Sequence, residues 1–245
     1  MTTTTRAKLS PTKQKAVDTF LLVFILDRSG SMASCYDATI KGFNEFLHEQ
    51  QREKAGEAAM TLVQFDEHAG GPICQVYYKA TPLARVADLG TRRNPYQPRG
   101  ATPLFDAVGQ TISLTDTVAD RYGHVLFTIQ TDGYENASRE YSQRQLFEMV
   151  GKRRERGWDF VFLGADIDAY DLGSTLNVPL ANTMSYASAS QSGEAFASLS
   201  RAASRYRQSQ GASHGATDGL ADAPVTRPAA HSGQPRSSAG GGAAG

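Results

Sequence analysis

The segment FLLVFILDRSGS (residues 20–31) joins a run of apolar residues to a loop of short oxygen-bearing side chains. A continuous apolar run of this length is typical of a parallel strand that is covered on both faces. Similar runs recur at 125–129 and 158–163. Each of these follows a segment with apolar residues at helical spacing, which indicates helical crossovers between parallel strands.

The other segments extend this alternation. Residues 59–65 and 73–78 are predicted to form a hairpin through Gly70-Gly71-Pro72, which adds an antiparallel edge strand. The predicted helices cover 36–54, 103–119, 139–155, 168–176 and 190–206, and a short strand covers 181–185. The sequence therefore predicts a doubly wound, Rossmann-like α/β sheet, mostly parallel, with helices on both faces.

Composition divides the chain into three parts. Residues 1–15 are rich in Thr, Lys and Arg, and residues 208–245 are mostly Gly, Ala, Ser and Pro. Neither segment has enough apolar side chains to offset the entropy cost of ordering the chain. We therefore expect a flexible N-terminal segment at 1–15, one domain at 16–207 and a disordered tail at 208–245.

Charge and hydropathy exclude several classes of partner. The 245 residues include 25 Lys and Arg and 25 Asp and Glu, so the formal net charge is zero and no basic field favours nucleic acid. No run approaches the roughly 18 apolar residues of a membrane-spanning helix. Residues 1–6 lack the apolar region of a signal peptide. Because only Cys35 and Cys74 are present, we expect a cytoplasmic protein without a disulfide framework or membrane contact.

Oxygen-bearing side chains cluster at the predicted strand ends. Asp27, Ser29 and Ser31 follow the first strand, Thr102 precedes the 103–119 helix, and Asp132 follows the 125–129 strand. Ligands of doubly wound sheets bind beyond the carboxyl ends of the strands, where the strand order reverses. Such oxygens suit Mg²⁺, with Mn²⁺ and Ca²⁺ as alternatives, whereas zinc prefers His and Cys. We expect the serines to ligate directly, Thr102 directly or through water, and the aspartates to hold metal-bound waters.

The pattern Asp27-x-Ser29-x-Ser31, Thr102 and Asp132 resembles the metal-ion-dependent adhesion site of the von Willebrand factor type A (vWA) family. The resemblance covers roughly residues 18–205, and GATPLFDA (100–107) and LGADIDA (163–169) add to it. It implies a Rossmann-like sheet whose metal captures an acidic side chain of a partner. The likeness is to small intracellular bacterial or phage vWA proteins, which are commonly subunits or adaptors of larger machinery.

Three functions are compatible with this pattern. The leading one is a non-enzymatic binding module in which bound Mg²⁺ captures an Asp or Glu of a partner protein. The alternatives are a Mg²⁺-dependent hydrolase of the phosphohydrolase type, and a structural subunit of a larger assembly with an incidental metal site. Against the hydrolase, Ser29 stands where a second Asp would be expected, and no nucleophile–base pair is evident.

Other residues near the strand ends have smaller expected roles. Partner choice is expected to depend on rim residues, namely Arg28, Met32, Tyr36, Tyr134 and residues near Arg99. Asp106 is expected to form hydrogen bonds near the start of its helix. Asp166 and Asp168 are interpreted as helix-capping residues rather than a second metal site.

Overall fold

The computed structural model describes residues 18–71, 73–165, 167–186 and 189–209. The strands are β1 (Thr19–Asp27), β2 (Glu57–Phe65), β3 (Cys74–Pro82), β4 (His124–Thr131), β5 (Trp158–Ala165) and β6 (Thr183–Tyr186). The helices are α1 (Tyr36–Arg52), α2 (Leu104–Ala119), α3 (Gln143–Glu155), α4 (Ala169–Thr175) and α5 (Ala189–Gln208). The predicted flexible segment at 1–15 lies outside the described residues, as do residues 210–245 of the predicted tail.

One sheet organises the domain. Its strand order is β3-β2-β1-β4-β5-β6, and all neighbours are parallel except β2 and β3. The predicted mostly parallel sheet with an antiparallel edge strand is confirmed. The chain leaves β1 towards β2 and β3 and returns on the other side of β1 at β4, so the strand order reverses between β1 and β4. Ligands of such sheets bind at this point.

The sheet is covered by helices on both faces. Phe20, Leu22, Phe24 and Leu26 of β1 pack in the same apolar cluster as residues of α1 and α5. The alternate residues, Leu21, Val23 and Ile25, pack in a second cluster with residues of α2, α3 and α4. Two-sided burial explains why residues 20–26 of β1 are all apolar, rather than apolar only at every second position.

Helix α1 begins at residue 36 as predicted, whereas the helix predicted from residue 139 begins later. Residues 30–35 form a 3₁₀ turn before α1, which carries the chain from the end of β1 to the helix. The helix predicted from 139 begins at Gln143, because Ser142 and Gln145 form a reciprocal capping box there. In the described parts of the chain, no helix is long and apolar enough to cross a membrane.

Candidate functional site

Two neighbouring loops meet at the reversal of strand order. The motif loop (residues 27–31) follows β1, and the threonine loop (residues 99–103) leads into α2. Their backbones are hydrogen-bonded: the Gly30 amide donates to the Gly100 carbonyl at 3.0 Å, and the Arg99 amide donates to the Arg28 carbonyl at 2.7 Å. Gly100 has a φ of +68°, and a Cβ there would lie 2.1 Å from the Glu67 carbonyl oxygen, so this close approach requires glycine.

Asp27 lies at the bottom of the site and is fully buried. Its carboxylate accepts hydrogen bonds from the Ser29 amide at 2.6 Å and from the Thr131 hydroxyl at 2.5 Å. Burial raises the pKa of Asp27 to about 7, an effect that these hydrogen bonds oppose and the nearby Asp132 charge reinforces. A cation bound nearby would stabilise the ionised form of Asp27 and so lower its pKa.

The other predicted site residues converge above Asp27. The Ser31 hydroxyl donates to the Asp132 carboxylate at 2.6 Å, and the Ser29 and Ser31 hydroxyl oxygens are 3.2 Å apart. A Cβ on Gly133 would lie 3.0 Å from the Thr102 hydroxyl and 3.7 Å from the Ser31 hydroxyl. The structure therefore brings all five predicted side chains, from three separate loops, to one place at the top of the sheet.

Residues other than the five predicted metal-site residues hold these loops in place. Asn136, in the aspartate loop (residues 132–136), accepts from the Thr102 amide at 2.9 Å and donates its own amide to the Thr102 carbonyl at 3.2 Å. The buried Tyr96 hydroxyl donates to the Asp27 carbonyl at 2.7 Å. Thr131, whose hydroxyl donates to Asp27, also supports the site, and its position next to Asp132 in the sequence is the signal that could have identified it.

Comparisons with known proteins bear on the fold. No family model and no curated protein matches the chain. Among solved structures, the vWF domain of the pilus tip protein Mfa5 from Porphyromonas gingivalis matches 75% of this chain and 94% of its own, with a TM-score of 0.57 and 10% identity. A vWA protein from Catenulispora acidiphila matches 76% of this chain and 43% of its own, with a TM-score of 0.51 and 14% identity. The chain has a vWA fold.

A third match comes from an animal. Proximal thread matrix protein 1 of the mussel byssus matches 76% of this chain with a TM-score of 0.52 and 13% identity, and one structure of it has zinc in its metal-ion-dependent adhesion site. Our chain spans about half the length of that protein, 46%. At these identities, the matches confirm the predicted resemblance at the level of the vWA fold.

The rim of the candidate site differs from the prediction at two positions. Met32 is fully buried, and Arg28 is almost so, because its guanidinium turns away from the site to pair with Asp66 at 2.8 Å. Neither side chain is available to a partner. Tyr36 and Tyr134 are exposed at the surface as predicted, at 37% and 55%.

The other acidic residues have structural partners. Asp106 accepts hydrogen bonds from the backbone amides of 139–141 at 2.7–2.8 Å, so its predicted structural role is confirmed. Asp168 caps α4 by accepting from the Asp171 amide at 3.1 Å, as predicted. Asp166 lies outside the described residues.

The chemistry of the site fits a hard cation. Its donors are hydroxyl and carboxylate oxygens, which the hydrogen bonds among Ser29, Ser31 and Asp132 hold together above the buried Asp27. No group of three or more His, Cys, Asp or Glu side chains suited to a metal occurs within the described ranges. A cation here would therefore depend on the hydroxyls of Ser29, Ser31 and Thr102, which suits Mg²⁺ or Mn²⁺ better than zinc.

Proposed function

We propose that this protein is a non-enzymatic, metal-dependent binding module. Mg²⁺ would be held by the hydroxyls of Ser29, Ser31 and Thr102, with Asp27 and Asp132 accepting hydrogen bonds from metal-bound waters. The observation that supports this most strongly is the meeting of all five side chains at the reversal of strand order in a vWA fold.

The proposed ligand is an Asp or Glu of a partner protein. Mg²⁺ prefers six oxygen ligands, and a set dominated by neutral hydroxyls leaves its charge poorly balanced. A partner carboxylate would supply both a missing oxygen and a negative charge. The exposed Tyr36 and Tyr134 would border such a partner, which we place in a larger protein assembly.

The proposed location is the cytoplasm. Cys35 and Cys74 both lie within the described structure and are free thiols, as expected in a reducing compartment. Detection of the native protein in cell fractions tests this location, and recovery from the cell surface would contradict it.

The metal part of the proposal is tested by titrating Mn²⁺ and Mg²⁺ calorimetrically into the unmutated protein and into Ser31→Ala. We expect the unmutated protein to bind the metal saturably. Ser31→Ala should bind it at least tenfold more weakly, because one direct ligand is gone. Ser113→Ala is the matched control, since that hydroxyl donates to the Gly109 carbonyl within α2. Absence of binding by the unmutated protein at millimolar metal would refute the metal site.

The acid part is tested with peptide pools. Pools with a central Asp or Glu, and matched pools with Asn or Gln, are compared for binding in Mg²⁺ and in EDTA. We expect retention of the acidic pools in Mg²⁺ alone. Equal retention in EDTA would favour a structural role with an incidental metal, and Mg²⁺-dependent phosphatase turnover that Asp27→Ala abolishes would favour an enzyme.

A further inference from the structure

Two arginines on separate site loops share a single buried carboxylate. Asp66 follows β2, and its side chain is only 2% exposed. Its Oδ1 accepts from Arg28 of the motif loop at 2.8 Å, and its Oδ2 accepts from Arg99 of the threonine loop at 2.6 Å. Asp66 therefore bridges the two loops that carry the candidate metal-ligating hydroxyls.

The bridge is reinforced on the Arg28 side. The second guanidinium nitrogen of Arg28 donates to the Gln75 side chain of β3 at 2.8 Å, and the Arg28 amide donates to the Phe65 carbonyl at 3.0 Å. The guanidinium is thus drawn toward β2 and β3. This direction matters because Arg28 is adjacent to Asp27 in sequence, and a positive charge turned toward the oxygens would repel a cation.

We propose that Asp66 is a positioning residue of the metal site. By holding Arg28 and Arg99 at once, it fixes the separation between the motif loop and Thr102, and it keeps the Arg28 charge away from the cation. This inference rests on the proposed metal site. Groups that orient metal ligands typically change metal affinity 10- to 100-fold when mutated, so Asp66→Asn is expected to bind Mn²⁺ roughly tenfold more weakly.

The structure supplies a matched control at the other end of α2. Asp116 also accepts from two arginines, Arg153 and Arg156. It lies 12 residues after Leu104, which is about 18 Å along the helix at 1.5 Å per residue. Asp116→Asn therefore breaks a more exposed arginine pair far from the site, and we expect it to leave Mn²⁺ affinity unchanged.

The experiment is calorimetric Mn²⁺ titration of the unmutated protein and both variants, at a temperature where circular dichroism shows each to be fully folded. Absence of binding by the unmutated protein overturns both this inference and the proposed function. Normal binding by the unmutated protein, with equal affinity in Asp66→Asn, overturns the positioning role alone.

A second variant and a second measurement separate positioning from general support of the fold. Arg99→Gln removes only the half-exposed partner of Asp66, and we expect a smaller loss of Mn²⁺ affinity that is not additive with Asp66→Asn. Hydrogen exchange of the Gly30 and Arg99 amides should accelerate in Asp66→Asn but not in Asp116→Asn. Additive affinity losses, or acceleration across the whole sheet, would overturn the bridge.

Discussion

At the scale of single residues, the carboxylate of Asp106 gives the clearest prediction of stability. It is fully buried and accepts from the backbone amides of Arg139, Glu140 and Tyr141. Asp106→Asn places an amide group against these donors, so at least one N–H loses its charged acceptor. We expect a loss of about 2 kcal/mol in the free energy of unfolding, measured by urea denaturation.

The same substitution at Asp168 is the matched control. Asp168 caps α4 with one hydrogen bond to an amide, and Asn is as good a capping residue as Asp. The change in unfolding free energy should therefore stay within about 0.5 kcal/mol. Equal losses of unfolding free energy in the two variants would show that the hydrogen bonds of Asp106 stabilise the protein no more than the single capping bond of Asp168.

Gly133 gives a prediction about the site itself. A methyl group on its Cα would lie 3.0 Å from the Thr102 hydroxyl, a contact that pushes this oxygen from its position. We expect Gly133→Ala to weaken Mn²⁺ binding about tenfold with little change in thermal midpoint, measured by calorimetry and thermal denaturation. Unchanged Mn²⁺ affinity would argue that Thr102 takes no direct part in holding the metal.

At the scale of elements, the contact between α1 and α5 depends on a glycine. A Cβ on Gly42 would lie 2.2 Å from the Phe196 ring, although Ala generally favours a helix by about 1 kcal/mol over Gly. Because overpacking a core typically costs about 1–3 kcal/mol, we expect Gly42→Ala to destabilise the protein in urea denaturation. Gly193→Ala, where nothing lies within 4 Å, should stabilise α5 by up to about 1 kcal/mol.

The strands and the site residues were more predictable than the loops between them. Continuous apolar runs marked β1, β4 and β5, and the topological rule placed Asp27 and Asp132 together at the reversal of strand order. The late start of α3 had a local signal in the capping box of Ser142 and Gln145, whereas the path of residues 139–141 depends on hydrogen bonds to Asp106 that local sequence does not contain. The direction of Arg28 likewise depends on Asp66, which lies 38 residues away.

At the scale of the whole molecule, the end of α5 closes the domain against the end of α1. Arg207 donates to the backbone carbonyls of Gln50, Glu53, Ala55 and Gly56, and so satisfies acceptors at the end of α1. The neighbouring Tyr206 is buried against Phe20 of β1. The last two turns of α5 therefore support the first strand, whose end carries the candidate site.

This arrangement predicts different effects for two truncations. A chain that ends at residue 209 keeps Tyr206 and Arg207 and loses only residues whose composition predicts little apolar burial, so we expect its thermal midpoint and Mn²⁺ affinity to match those of the full chain. A chain that ends at residue 200 uncovers the Phe20 side of the core and leaves the α1 carbonyls without their donor. We expect it to lose roughly 3–5 kcal/mol of unfolding free energy.

A lower midpoint for the chain ending at 209 would show that residues 210–245 pack on the domain. An unchanged midpoint for the chain ending at 200 would show that α5 adds little to its stability.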